Sequence, residues 1–275
     1  MGAGMGLYGI VNALAIAVGP ALGIRLQAAV GYQWTFIASL TLNVCAFVTV
    51  LLVKNGGRPA PQNRGPAPAT DDRQTAAEQS LRHRLRLRNL VEPRAIPLAA
   101  VFMMFAIPYF ANQSFLVDYI SARHLRISSD LFFVFYAAAL LALRLTLRDL
   151  FDSKGFRFWL VVCSFAMLAS LAFLTFMTND WYLLGAGIAM AASYGLMSSV
   201  TQAQAVVIAG RERSGLANGT YYMGIDLGMA LGPVLAGVLY GHLPIAWFYP
   251  LFMLALPVSW LIYLSFHRLI HPSHK

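Results

Sequence analysis

Charge is what this sequence has least of: Asp, Glu, Lys and Arg make up 11% of its 275 residues, against about 25% in soluble domains. Hydrophobic residues make up 59% and mean hydropathy is +0.63. That balance excludes an ordinary water-soluble enzyme, because a compact domain of this size has too little surface to hide so much apolar area from water. Cysteine is scarce as well. Cys45 and Cys163 both fall inside apolar runs, with no CxxC and no histidine at metal-ligand spacing, and read as free thiols. The chain has no G-x-x-x-x-G-K-[ST] phosphate loop, no HExxH, and no Ser/Lys or paired-Asp constellation at one depth. It is therefore read as a non-enzyme without cofactor or metal. Gly4, Gly6 and Gly9 satisfy G-x-G-x-x-G, but they lie within an apolar helix with no preceding strand, which argues against a nucleotide site.

What the sequence has instead is long apolar runs. A helix rising 1.5 Å per residue needs about 20 residues to cross a 30 Å hydrocarbon core. Eight runs approach that length: residues 4–23, 34–53, 96–120, 131–147, 156–177, 181–207, 216–241 and 246–266. The fourth is short and carries Arg144 near its end. The first is not read as a cleaved signal peptide, having no basic residues ahead of it and no small-residue cleavage site followed by soluble sequence, and Gly6 stands where myristoylation wants Ser or Thr. The expected fold is all-α and polytopic.

Net charge is +9, and its placement decides between a nucleic-acid partner and a membrane. Sorting the inter-span segments alternately puts 17 of the 20 Lys and Arg on one side. Nine lie between Lys54 and Arg94. Only Arg25, Arg123 and Arg126 fall on the other. By the positive-inside rule both termini and the central loop are cytoplasmic, in a multi-pass inner (plasma) membrane protein whose partner is lipid and not nucleic acid. Residues 54–94 form a Pro/Arg-rich linker. Within it Leu81, Leu85 and Leu87 alternate with Arg82, Arg84, Arg86 and Arg88, as either a basic helix on anionic headgroups or a solvated positive loop. His267, His271 and His274 belong to the basic tail.

Residues 6–24 laid over residues 219–237 match at Gly6/Gly219, Tyr8/Tyr221, Leu14/Leu227, Ala17/Ala230, Gly19/Gly232, Pro20/Pro233 and Leu22/Leu235. Such internal repeats are the trace of transporters built from two related bundles. With the Gly-Pro-x-x-Gly of Gly19, Pro20 and Gly23, the run 217–222, Asp226-Leu227-Gly228 and the lead-in 31–36, the chain resembles the major facilitator superfamily, and within it the drug/proton antiporter-like efflux carriers. Ala15 and Ile24 depart from that motif's usual glycines. The resemblance implies that the eight spans correspond to helices 5–12 of a twelve-helix fold, the first four helices being absent. Residues 1–53 are then the last two helices of an incomplete first bundle, and residues 95–275 the six-helix second bundle.

Several residues carry the implied chemistry. Asp226 lies 13 residues beyond Arg213, roughly 20 Å into the membrane, where an acid is costly and suits either proton relay or a bond to a neighbouring helix. Gly224, Gly228 and Gly232 repeat at i, i+4 and i+8 ahead of Pro233, as a pliable interface or static close packing. Tyr109, Asn112, Gln113, Tyr194, Ser198, Tyr221 and Tyr222 are candidates for the substrate cavity, with helix-to-helix hydrogen bonding as the alternative. The resemblance makes Arg144, Asp152 and Gly155 a cytoplasmic gate loop, although Arg148 replaces its expected glycine and Ser153 its expected base. The implied activity is proton-coupled export of a small organic molecule by alternating access, by a carrier that is monomeric when complete. A non-transporting membrane fragment and an uptake carrier of the same fold are the alternatives.

Overall fold

The computed structural model describes residues 2–52, 91–147, 150, 153–210 and 213–270. The basic segment 80–90, Asp152, His271 and His274 lie outside them. Described residues are helical, with no strand among them. The helices are α1 (Gly2–Leu52), α2 (Ile96–Ala122), α3 (Asp130–Thr146), α4 (Phe156–Thr175), α5 (Asp180–Met190), α6 (Leu196–Ala209), α7 (Ser214–His242), α8 (Phe248–Phe252), α9 (Ala255–Ser265) and α10 (His267–Ile270). Six stretches are long and apolar enough to cross a membrane: Leu22–Leu52, Ile96–Ala122, Phe156–Thr175, Asp180–Ala209, Ser214–His242 and Ile245–Ser265.

The eight expected spans are thus not all met, and the departures have physical causes. The first two fall in the single element α1, interrupted at Gly31, whose φ of 80° and ψ of 173° leave the helical region. A positive φ of that kind is open to glycine and strained for other residues, so the interruption sits at the expected turn between the two runs. The fourth span is a helix of 17 residues, short of a full crossing. The eighth is met at membrane length as Ile245–Ser265, with a break in the helix at Met253 and Leu254 between α8 and α9. Pro257 has no N–H to offer the Met253 carbonyl, and its ring crowds that carbonyl, which ends one helix and starts the next.

The chain divides into two compact units, one of residues 1–21 with 87–275, the other of residues 22–86. In the second, the described helix from Leu22 to Leu52 buries none of its residues; Tyr32, Phe36, Leu42 and Leu52 are largely exposed. Its polar side chains bond back to their own helix. Thr35, Thr41, Asn43 and Thr49 each donate to the carbonyl four residues earlier at 2.7–2.9 Å, the arrangement that a helix in hydrocarbon requires when water is absent.

In the first unit, α2 to α9 form a bundle in which α2 packs along α7 and α9, α5 lies between α3 and α4, and α6 touches α7. Glycines set the close approaches. A Cβ on Gly224 would lie 2.6 Å from the Ala99 carbonyl oxygen, one on Gly232 2.7 Å from that of Ile107, and one on Gly228 would overlap the Ala106 methyl. The order of these contacts makes α2 and α7 parallel. Gly187 plays the same part between α5 and α3, facing the Phe132 carbonyl and the Tyr136 nitrogen. Trp159, Phe102, Phe105, Met167 and Tyr249 fill the core. Across it Ser170 donates to the Ala186 carbonyl at 2.9 Å and Trp260 Nε1 to Ser164 Oγ at 3.1 Å.

Candidate functional site: an aromatic column ending in a polar junction

Three of the expected cavity residues are brought together. The rings of Tyr109 and Tyr194 stack with centroids 3.9 Å apart and planes within 4°. Phe102 stacks on both Tyr194 and Tyr221 at 5.3 Å. Tyr136 leans on Tyr109 at 5.5 Å. This column runs through α2, α3, α7 and the turn between α5 and α6, and Tyr109, Tyr194 and Tyr221 are each less than a tenth exposed. Offset and parallel ring pairs add about 0.5–1.5 kcal/mol each beyond area burial. In this conformation the three tyrosines are packing residues.

Local backbone explains why Tyr194 reaches the column. Residues Ala191–Gly195 form a π turn between α5 and α6. The wider turn inserts a residue relative to an α-helix and shifts the face that follows, a feature that recurs at functional sites. Gly195, at its end, accommodates the tip of Leu140 from α3. Nothing in the composition of Ala-Ala-Ser-Tyr-Gly distinguishes this turn from ordinary helix.

The remaining candidates separate. Asn112 is fully buried and accepts a 2.8 Å hydrogen bond from the Tyr249 hydroxyl, so it ties α2 to α8 and does not line a cavity. Gln113, one residue on, is half-buried. Tyr222 is 47% exposed and Asp226, one turn further along α7, is exposed on the same face with no hydrogen bond or ion pair among the described residues. Alpha-7 thus has two faces. Gly224, Gly228 and Gly232 are buried against α2, whereas Tyr222, Met223, Asp226 and Leu227 are uncovered within the described residues. A carboxylate on a membrane helix must face protein or water.

The earlier glycine motif behaves differently. A Cβ on Gly19 or Gly23 meets nothing within 4 Å. The same is true of Gly155, whereas Arg144 of the expected gate loop lies within α3 and Asp152 is outside the described residues.

Arg144 lies in the last turn of α3. Tyr136, Leu140 and Arg144 repeat at i, i+4 and i+8, one face of α3. Gly187 meets the backbone at 132–136 and Gly195 meets Leu140, so α3 runs parallel to α5 and α6. The Arg144 Nε is buried. The Tyr221 hydroxyl lies 3.0 Å from both the carbonyl and hydroxyl oxygens of Ser198. Gln202 Nε2 donates to Asn218 Oδ1 at 3.2 Å one turn away.

At the same end of the bundle is an ion pair that the sequence reading missed. Arg213 Nη1 lies 2.7 Å from Glu92 Oε2. The Glu92 backbone N–H donates to Thr220 Oγ1 at 2.8 Å, and that hydroxyl donates to the Leu216 carbonyl at 2.9 Å. The segment entering α2 is thereby fixed to the first turns of α7. The signal available in the sequence is an acid beside a proline just before an apolar run.

Among the described residues, helices without strands, six stretches of them apolar and of membrane length, define a multi-pass membrane protein. The family model of the Major Facilitator Superfamily matches residues 1–178 and again residues 150–275. The chain therefore belongs to the major facilitator superfamily of membrane transporters. No curated protein matches it.

Proposed function

We propose that this chain takes part in proton-coupled export of a small organic molecule by alternating access. It sits in the cell's inner membrane with both termini cytoplasmic, and its spans correspond to helices 5–12 of the twelve-helix fold. The observation that carries this reading is the division of α7 into a glycine face buried against α2 and an uncovered face bearing Tyr222 and Asp226. A helix anchored on one side and polar on the other is suited to line a water-accessible path, and an acid in that position binds and releases a proton as the path opens to either side. The 17-to-3 partition of basic residues supports the orientation.

The test is flux into everted membrane vesicles containing the full chain, driven by an imposed proton gradient and followed with a panel of radiolabelled organic solutes. Asp226→Asn is expected to abolish the gradient-driven component while leaving downhill exchange of the same solute. Unchanged gradient-driven accumulation in that variant overturns proton coupling through Asp226.

A further inference from the structure

We propose that the exposed face of α4 holds an anionic phospholipid, its phosphodiester at Lys154 and Arg157 and its acyl chain along Phe158, Val162, Phe165 and Leu168. This site is separate from any solute path and does not depend on transport.

The face is defined by what α4 buries. Phe156, Trp159, Cys163, Met167, Ser170 and Leu174 turn into the bundle. That leaves Phe158, Val162, Phe165, Leu168, Phe173 and Phe176 exposed at helical spacing. Cations stand at one end of this apolar stripe. Lys154, two residues ahead of the helix, turns back over it, with Nζ 5.7 Å from the centre of the Phe158 ring. The contact sets the ammonium at the head of the stripe. Arg157 is exposed in the first turn, and neither cation is paired with an acid among the described residues.

The far end has the opposite character. Residues 173–180 contain no Lys or Arg and end on Asp180. Arg123, which reaches that end from α2, is committed to the Thr175 carbonyl and the Tyr119 hydroxyl. Charge complementarity therefore selects an anion at one end only, the one that the charge partition makes cytoplasmic, where the membrane surface carries anionic lipid. The lengths agree with a lipid as well. Half of a 30 Å hydrocarbon core is about 15 Å, which about ten residues of helix span, the distance from Phe158 to Leu168. A free phosphate shares the headgroup chemistry but gains nothing from the stripe.

The test uses the full chain in phosphatidylcholine nanodiscs. Phosphatidylglycerol or phosphatidylcholine with a photoactivatable diazirine on its acyl chain is added at equal mole fraction, and labelled peptides are mapped by mass spectrometry. Labelling of residues 158–168 by phosphatidylglycerol is expected to exceed that by phosphatidylcholine, by about fivefold for each cation engaged. Lys154→Gln and Arg157→Gln should each lower the excess about fivefold. The double variant should remove it, whereas Lys154→Arg and the distant Arg126→Gln should keep it. The excess is a ratio to phosphatidylcholine labelling within each variant, so a general change in exposure cancels. Equal labelling by the two lipids in the unaltered chain, an excess undiminished in the double variant, or an excess confined to the end near Phe176 overturns the proposal. Loss of the excess on adding millimolar inorganic phosphate would identify an ion site in place of a lipid site and overturns it too.

Discussion

Glu92 and Arg213 meet at 2.7 Å with unequal exposure, the carboxylate side chain 2% accessible and the guanidinium 42%. The asymmetry decides which partner is costly to lose. Removing Arg213 strands a buried negative charge, whereas neutralising Glu92 releases an arginine that water can solvate. Losing one partner of a fully buried pair costs about 3–5 kcal/mol; water at the Arg213 end brings the expected cost below that range. Arg213→Ala should therefore lower the melting temperature more than Glu92→Gln, and the double variant should recover part of the loss. Tryptophan-fluorescence melting of the purified chain measures all three. Equal effects of the two single variants would contradict the asymmetry.

The glycines of α7 make a sharper prediction because their neighbours are backbone atoms. Gly224→Ala and Gly232→Ala drive a methyl against the Ala99 and Ile107 carbonyls, and neither helix backbone can yield cheaply. Each should destabilise the bundle by roughly 1–3 kcal/mol, the usual cost of overpacking. Gly219→Ala, with nothing within 4 Å, should be neutral in the same melting experiment. Gly195→Ala falls between them, since its neighbour is the movable end of Leu140.

Membrane residence and helix positions were legible in the sequence because hydrophobic length and glycine spacing are local quantities. Six runs reappear as membrane-length helices, and the stripe at 224, 228 and 232 faces α2 as its four-residue period requires. Interruptions of helix were less legible. Gly31 and Pro257 are visible as residues, yet other prolines, Pro108 and Pro233, sit inside continuous helices, so the residue alone does not decide. Site geometry was legible in part: Tyr109, Tyr194 and Tyr221 do gather, but as a packed column. Arg144 is read from the sequence as part of a loop, whereas it lies in the last turn of α3. The Glu92–Arg213 pair spans 121 positions and has no local signature.

The two thiols should report separately on lipid exposure and folding. Cys163 is fully buried in α4, whereas Cys45 is exposed on α1. A small, membrane-permeant maleimide should modify Cys45 in the folded chain, where its side chain is exposed. Cys163 should react only on unfolding. Mass spectrometry of the labelled peptides across a temperature ramp checks this, and labelling of Cys163 well below the melting transition would show that the α4 core is open.

Asn112 and Tyr249 offer a test of how a buried polar pair behaves between membrane helices. The hydroxyl donates to the amide oxygen at 2.8 Å with both side chains sealed from solvent. Tyr249→Phe leaves the Asn112 oxygen without its donor, and Asn112→Leu leaves the hydroxyl without its acceptor. Each single change should be worse than their combination, because an orphaned polar group costs more than an apolar contact that replaces both partners. Pairs of this kind in membrane bundles couple by about 0.6 kcal/mol on average, with a maximum near 1.7. A double-mutant cycle on melting should return a coupling in that range. Strictly additive losses would mean that each residue contributes through packing alone, and that α8 is held against α2 by the Tyr119, Phe248 and Tyr249 rings and not by this bond.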